Sequence, residues 1–536
     1  MGIRIANCSG FFGDRASAAR EMVDGGPIDV LTGDYLAELT MVILARHRMR
    51  DPHAGYVPTF LDQLAEVLGA CIDRGIAVVA NAGGLNPTAL ADAVGELSAR
   101  LGLRVRVATV TGDDLMEQAS ELVHAVTGET MAQRAVTPLT ANAYLGGWGI
   151  ARALAEGADV VVTGRVADAS LVVGPAAWHH GWDRHDWDRL AGAVVAGHVV
   201  ECGAQATGGN FSFFTEVPGL DEVGFPIAEV EEDGTATITK HPGTGGMVTV
   251  ETVTAQLLYE VAGPRYLNPD VVARLDTVEL EPAGPDRVRI SGVLGEPAPA
   301  TTKVAATVVA GYRNAVTFVI AGLDVEAKAA VALAALWRRV GPPESFGSVD
   351  VRLARTDQPD PATEDASHAT LKVTVTDGDP ARVGRRFSNA AVEMALATYP
   401  GFLLTEPPGA ESPQVVFWPA IAAQPVSTVT MAGDAIVVPP SGPGAATVVR
   451  TRPEASADPG EDGSPRPTVP GPTVPGPLGL LVGTRSGDKG GDANLGVWAR
   501  GDDAFAWLAS YLTEQQIRRL VPEAGDLPIE RHVFPR

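Results

Sequence analysis

Aspartates and arginines recur in short glycine-rich loops through the first third of this chain, and side chains of these types can move protons and hold anions. Asp14 and Arg15 close the stretch 5–15, and Asp34 follows Gly33 in Thr-Gly-Asp-Tyr (32–35). Asp113 and Asp114 follow Gly112, and Arg165 and Asp168 belong to Thr-Gly-Arg-Val-Ala-Asp (163–168). Paired carboxylates divide general-acid and general-base roles or ligate a divalent cation, and guanidinium groups hold a carboxylate or phosphate. A single aspartate after glycine more often caps a helix or closes a turn. Their recurrence in equivalent loops favours a functional set, with Asp34, Asp113 and Asp168 as acid/base or metal-binding groups and Arg15 and Arg165 on an anionic substrate. Asn7 and Ser9 in Asn-Cys-Ser-Gly (7–10), and Asn81, Gly83, Gly84 and Asn86 in Asn-Ala-Gly-Gly-Leu-Asn (81–86), add amide and backbone N–H donors just before helix starts, where an anion can sit.

Each of these loops follows an apolar run, at residues 3–6, 29–31, 76–80, 105–110 and 160–162, and helix-like stretches such as 60–74, 88–102 and 143–156 intervene. Buried strands alternating with helices predict a doubly wound α/β region, residues 1–197, with a mostly parallel sheet. Loops that follow parallel strands gather on one edge, where such folds bind ligands. From His198 the texture changes to short β-branched runs at 236–239, 248–253, 277–280, 287–290, 303–309 and 315–320, separated by Gly and Pro turns. With helices expected at 327–340 and 386–398 and strands at 348–353 and 370–375, residues 198–450 read as a mixed α+β region. Residues 451–477 are rich in Pro, Gly, Asp, Glu and Ser and read as a linker. Strands at 478–482 and 494–498 and a helix over 505–520 make residues 478–536 a small α+β module.

Composition narrows the partners. The 536 residues carry a formal charge of −24, from 41 basic and 65 acidic side chains, which argues against duplex nucleic acid. No apolar run reaches the roughly 18 residues needed to span a bilayer, and the start runs directly into a strand pattern, so a cytoplasmic location is expected. Cys8, Cys71 and Cys202 are too scattered for a disulfide framework or zinc spacing and are expected as reduced thiols. Neither the dinucleotide Gly-x-Gly-x-x-Gly spacing nor the Gly-Lys-Ser/Thr phosphate loop is present, so there is no NAD or ATP fingerprint, and a divalent metal stays open as cofactor.

Three further motifs carry chemistry. His198, Glu201 and Cys202 would share a helical face, with Cys202 as a nucleophile beside a base, although a lone Cys among small residues is more often packed. His241 in His-Pro-Gly-Thr-Gly-Gly (241–246) reads as a substrate-contacting loop or a hairpin turn. Arg485, Ser486 and Lys489 in Gly-Thr-Arg-Ser-Gly-Asp-Lys-Gly-Gly-Asp (483–492) read as an anion cradle or as a tight connection between strands. His179, His180 and His185, among Trp178, Trp182 and Trp187, read as a surface helix or loop.

Together, Ile-Ala-Asn-Cys-Ser-Gly-Phe-Phe-Gly-Asp-Arg (5–15), residues 29–40, Asn-Ala-Gly-Gly-Leu-Asn-Pro (81–87), residues 163–171, 197–209 and 240–246, Gln-Leu-Leu-Tyr-Glu (256–260) and residues 484–494 resemble the AtuA-like acyclic terpene utilisation family. The resemblance implies a large α/β region followed by a ferredoxin-like C-terminal module, in bacteria that degrade acyclic terpenes or branched acids through coenzyme A thioesters. It carries no catalytic residues with it. It also implies that the module would continue for some tens of residues past Arg536, so a shortened module with an open sheet edge is expected. The expected activity is a lyase, hydratase or hydrolase step on an acyl-CoA or carboxylate. The rivals are an accessory subunit or scaffold for an acyl-CoA carboxylase and a phosphate-compound hydrolase, and a homo-oligomer is open.

Overall fold

The computed structural model describes residues 2–442, 474–489 and 492–534. The linker expected at 451–477 lies outside the described residues as far as residue 473. Five strands form where the apolar runs predict them: β1 (Ile3–Asn7), β2 (Val30–Gly33), β3 (Ala77–Ala80), β4 (Val107–Thr111) and β5 (Val160–Thr163). They run parallel in the spatial order β1-β2-β3-β5-β4.

Successive strand side chains point to opposite faces, and both faces are apolar here. Ala6, Leu31, Val78 and Val162 pack under helices α1 (Ala18–Asp24), α2 (Glu38–Arg50), α3 (Pro58–Arg74) and α4 (Pro87–Arg100). Ile5, Val30, Val79 and Val161 pack on the other side with α5 (Trp148–Ala155), α6 (Ser170–His180) and α7 (Trp187–Val200). Helix α3 shows why these segments are helical. Pro58 opens its first turn, Phe60, Leu64, Val67 and Cys71 repeat every three to four residues, and Gly75 takes the left-handed φ of 69° that ends it.

Antiparallel strands extend this sheet at both edges. Pro226–Val230, Ala236–Lys240, Arg287–Ser291 and Glu279–Gly284 continue it beyond β1, and Ser427–Met431 with Asp434–Val438 continues it beyond β4. Residues after His198 thus add to the N-terminal sheet. Several local expectations change. Residues 248–253 read as a strand, but Thr249 and Thr252 form a reciprocal capping box and 250–257 is a helix (Val250–Leu257). The runs 303–309 and 315–320 belong to one strand, Thr301–Ala321. Residues 478–480 form a short 3-10 turn, so the strand starts at Val482.

By packing, the chain divides into two compact units, residues 1–135, 140–306 and 419–536 in one and residues 136–139 and 307–418 in the other. In the second, the strands Ser348–Ala354 and His368–Asp377 pair antiparallel, and the latter pairs with 312–321. Phe318, Leu336, Val373 and Phe387 centre its core, beneath the helices Val325–Val340 and Arg385–Val392. Every candidate site residue belongs to the first unit. That unit also holds an antiparallel hairpin, Val482–Lys489 with Asp492–Ala499, followed by helices Asp502–Tyr511 and Glu514–Leu520. Among the described residues no helix is long and apolar enough to cross a membrane.

Candidate functional site

Because β1 to β5 point the same way, the loops that leave them meet at one edge of the sheet, and their side chains tie one loop to the next. After β1, the Asn7 amide donates to the Glu201 carbonyl at 3.3 Å and its oxygen accepts from the Ser9 N–H at 2.8 Å. The Ser9 carbonyl in turn accepts from the Asp34 N–H at 3.0 Å. After β2 and β3, the Asn81 amide donates to Asp34 Oδ1 at 2.6 Å while its carbonyl accepts from the Tyr35 N–H at 2.8 Å. After β5, Arg165 extends into the centre. It donates to the Leu36 carbonyl at 2.9 Å, pairs with Asp168 at 2.9 Å and lies over the Tyr144 ring at 4.2 Å. After β4, Asp113 Oδ2 accepts from the Arg165 N–H and from the Asn142 amide, each at 2.8 Å.

The two glycines expected in the β3 loop are there for space. A methyl group at Gly83 would lie 2.5 Å from the Thr163 carbonyl oxygen, and one at Gly84 would collide with Leu44. The close approach of the β3 loop to β5 depends on the absent side chain of Gly83, and Gly84 makes room for α2.

The electrostatics separate the carboxylates. Asp34 is 4% exposed. Burial first, and then the charge of Asp168, push its carboxyl well above the ordinary aspartate value, against the opposing pull of Arg165 and the Asn81 hydrogen bond. Asp168, a few residues along the chain from Arg165, is held in a buried ion pair with it. Asp113 is raised to about 6, by burial that outweighs its hydrogen bonds from Arg165 and Asn142. The site therefore sets a carboxyl that favours its neutral form near an aspartate paired with a fixed cation.

Beyond the β1 loop lies an open cleft of ≈ 580 Å³, lined by Arg15, Phe211, Phe214, Leu220, Val223 and Phe225 among others. Arg15 lies 5.1 Å over the Phe225 ring and pairs with Glu21 at 2.6 Å. Gly10 joins the cleft to the polar cluster: its N–H donates to Asp14 Oδ2 at 2.8 Å, and a methyl there would sit 2.7 Å from the Cys202 backbone. Its aromatic walls suit an apolar ligand, and Asp14, Arg15 and Asp221 make its rim polar.

A family model described as the acyclic terpene utilisation family protein AtuA matches residues 3–432. The chain belongs to this family. Comparisons with curated proteins and with solved structures found no match. Membership places the protein in acyclic terpene utilisation, and the matched region includes all five strand-end loops.

In this AtuA-family chain, the structure groups Asn7, Ser9, Asp34, Asn81, Gly83, Gly84, Asp113, Arg165 and Asp168 at one edge. Other candidates lie outside that group, Cys202 beside it and the rest farther off. Asn86 caps α4, accepting from the Ala89 N–H at 3.2 Å. His241 is buried against the end of α1, its Nε2 2.9 Å from the Met22 carbonyl, and burial lowers its pKa. Cys202 stands next to the cluster, where burial and then Glu201, Glu260, Asp34 and Asp168 push its thiol well above the ordinary value. Arg485 and Ser486 lie in the C-terminal hairpin, with Arg485 4.4 Å over the Tyr259 ring. The side chain of Lys489 lies outside the described residues. Trp182 and His180, expected at the surface, stack at 5.3 Å, and the Trp182 ring is buried.

Residue-type reasoning did not single out Glu38, Asn142, Tyr144 or Lys303. Lys303 lies 4.9 Å over the other partner of Arg165, the Tyr144 ring, and pairs with Glu38 at 3.4 Å. Glu38 falls in the stretch 29–40 that carried the family resemblance, which is the signal that could have found it. Among the described residues no three His, Cys, Asp or Glu side chains are grouped so as to hold a metal ion.

Proposed function

We propose that the protein is an enzyme of acyclic terpene or branched-acid catabolism that adds or removes the elements of water, or cleaves a carbon–carbon bond, in an acyl-CoA or free branched acid. The observation that carries this reading is the unequal pair Asp34 and Asp168. A buried carboxyl pushed towards its neutral form, near a second aspartate held by a guanidinium, supplies the two unlike groups that acid/base catalysis in one site requires. Asp34, favouring its neutral form, donates a proton to a departing hydroxyl or a developing carbanion. Asp168, steadied by Arg165, accepts the proton of the neighbouring carbon when water is lost, or of the β-hydroxyl that becomes a carbonyl when a carbon–carbon bond breaks. Asn81 orients Asp34 from one side, and the Ser9 carbonyl fixes its backbone.

The aromatic cleft at Arg15 suits the branched apolar part of such a substrate, and its volume lies in the range of small-molecule sites. A hydratase or lyase fits better than a thiol hydrolase, because burial and the carboxylates around Cys202 favour its protonated form. The hairpin and two helices of residues 482–520 are read as the ferredoxin-like module that the resemblance implies.

The test is exchange of solvent deuterium into branched and α,β-unsaturated acyl-CoA thioesters and their free acids, followed by mass spectrometry. Wild type is expected to label one substrate class, and Asp34→Asn to lose at least about a hundredfold in rate, the usual scale of one general acid. An Asp34→Asn protein with full activity would sink the proposal.

A further inference from the structure

The C-terminal hairpin, outside the stretch matched by the family model, is fastened to the body of the first unit at several points. Ser212 and Thr484 exchange two hydrogen bonds, at 2.7 and 2.9 Å. The Asn494 side chain accepts from the Glu260 N–H at 2.9 Å and donates to the Leu258 carbonyl at 2.6 Å. Trp498 stacks on Phe211 at 6.0 Å, and Arg500 pairs with Glu216 at 2.8 Å and Glu251 at 2.9 Å. Gly487 and Gly496 allow the approach, since a methyl at either would lie 2.5 Å from Glu260 or Leu258 respectively.

This docking holds Arg485 in one place without neutralising it. Its guanidinium lies 4.4 Å over the Tyr259 ring, its Nε is buried without a hydrogen-bond partner, and among the described residues it has no ion-pair partner. The surroundings are those of the candidate site. Helix 250–257, which leads into Tyr259, packs on the turn 203–207 that follows Cys202, and burial, then Glu260 and Cys202, raise the Tyr259 hydroxyl while Arg485 lowers it. A half-buried arginine stacked on an aromatic ring, with unused donors, is set to take a planar anion.

We propose that the hairpin completes the ligand site by supplying Arg485 as the group that holds a carboxylate or phosphate of the substrate beside Tyr259 and Cys202. The inference deepens the acyl-CoA or carboxylate reading and rests on it for the identity of the anion. Its test does not need turnover. Calorimetric titration of the full chain would use 3-methylbutyrate and inorganic phosphate as anionic probes and 3-methylbutyramide as the neutral control, for wild type, Arg485→Gln and Arg485→Lys.

Wild type is expected to bind at least one anion. Arg485→Gln should weaken that binding by about tenfold or more, the scale of one charge-assisted contact, while Arg485→Lys keeps part of it and amide binding does not change. Selective loss of phosphate binding assigns the residue to a phosphate group, and selective loss of 3-methylbutyrate binding assigns it to a carboxylate. No anion binding by wild type, equal affinity in Arg485→Gln, or a parallel loss of anion and amide binding with a lowered melting temperature would each overturn the proposal. The last result would make Arg485 a tether for the hairpin. Failure of the acid/base reading shows separately, as an active Asp34→Asn protein that still binds anions through Arg485.

Discussion

Replacing Asp113 with asparagine should make the protein more stable at neutral pH, although it removes a charge at the centre of a hydrogen-bonded loop. Asp113 is buried, and its carboxyl is raised from 3.8 to about 6. Between those values the folded protein binds more protons than the unfolded chain, so unfolding free energy falls as pH rises and stays lower above the folded value. A shift of about 2 units corresponds to about 3 kcal/mol at most, and about 2 kcal/mol of it falls between about pH 4.5 and about pH 7.5.

Asparagine keeps an oxygen for the Arg165 N–H and the Asn142 amide, both at 2.8 Å in the wild type, and leaves no charge to desolvate. Urea unfolding of wild type and Asp113→Asn across this pH range gives the comparison. The difference in stability should grow with pH in favour of the variant, whatever other carboxylates titrate in both proteins. Parallel stability profiles, or a variant less stable at about pH 7.5 by about 1 kcal/mol or more, would refute the reasoning.

Asp34→Asn should leave the melting temperature at neutral pH nearly unchanged, since asparagine resembles the neutral carboxyl that burial favours, while ligand response is lost in a thermal-shift panel of acyl-CoA thioesters. Arg165→Met leaves the part-buried Asp168 without its buried cation and should cost about 3 kcal/mol in urea unfolding; a cost under about 1 kcal/mol would mean that Asp168 finds another partner. Gly83→Ala should cost about 1–3 kcal/mol, because the added methyl meets the Thr163 carbonyl rather than a side chain that can turn away; a neutral change would show that the β3 and β5 loops can separate.

The five parallel strands were legible because each is a short apolar run bounded by glycine and a helix pattern, and burial on both faces requires that pattern. The site edge followed from direction alone. Helix 250–257 was misread as a strand because its residues are β-branched; the Thr249 and Thr252 capping box decides its conformation, and that signal is only two residues long. Asn86 and His241 illustrate the opposite error of range. Both types can bind a ligand, but Asn86 caps its own helix through Ala89, a local role, and His241 fills the end of α1, a neighbour remote in sequence.

By itself the sequence determined the α/β class, the family, and the set of loops that carry Asp34, Asn81, Asp113, Arg165 and Asp168, because strand and helix periodicity and loop composition are local properties. Only the tertiary structure decided which of these groups meet and with what charge. Asp34 is raised because it is buried and because Asp168 comes near it, Glu38 and Lys303 gather at Tyr144 from positions far apart in the chain, and Arg485 reaches Tyr259 through a hairpin docked across more than 200 residues of sequence. Proximity between distant segments, and the loss of water that accompanies it, set these charges, and neither is written in the spacing of residues along the chain.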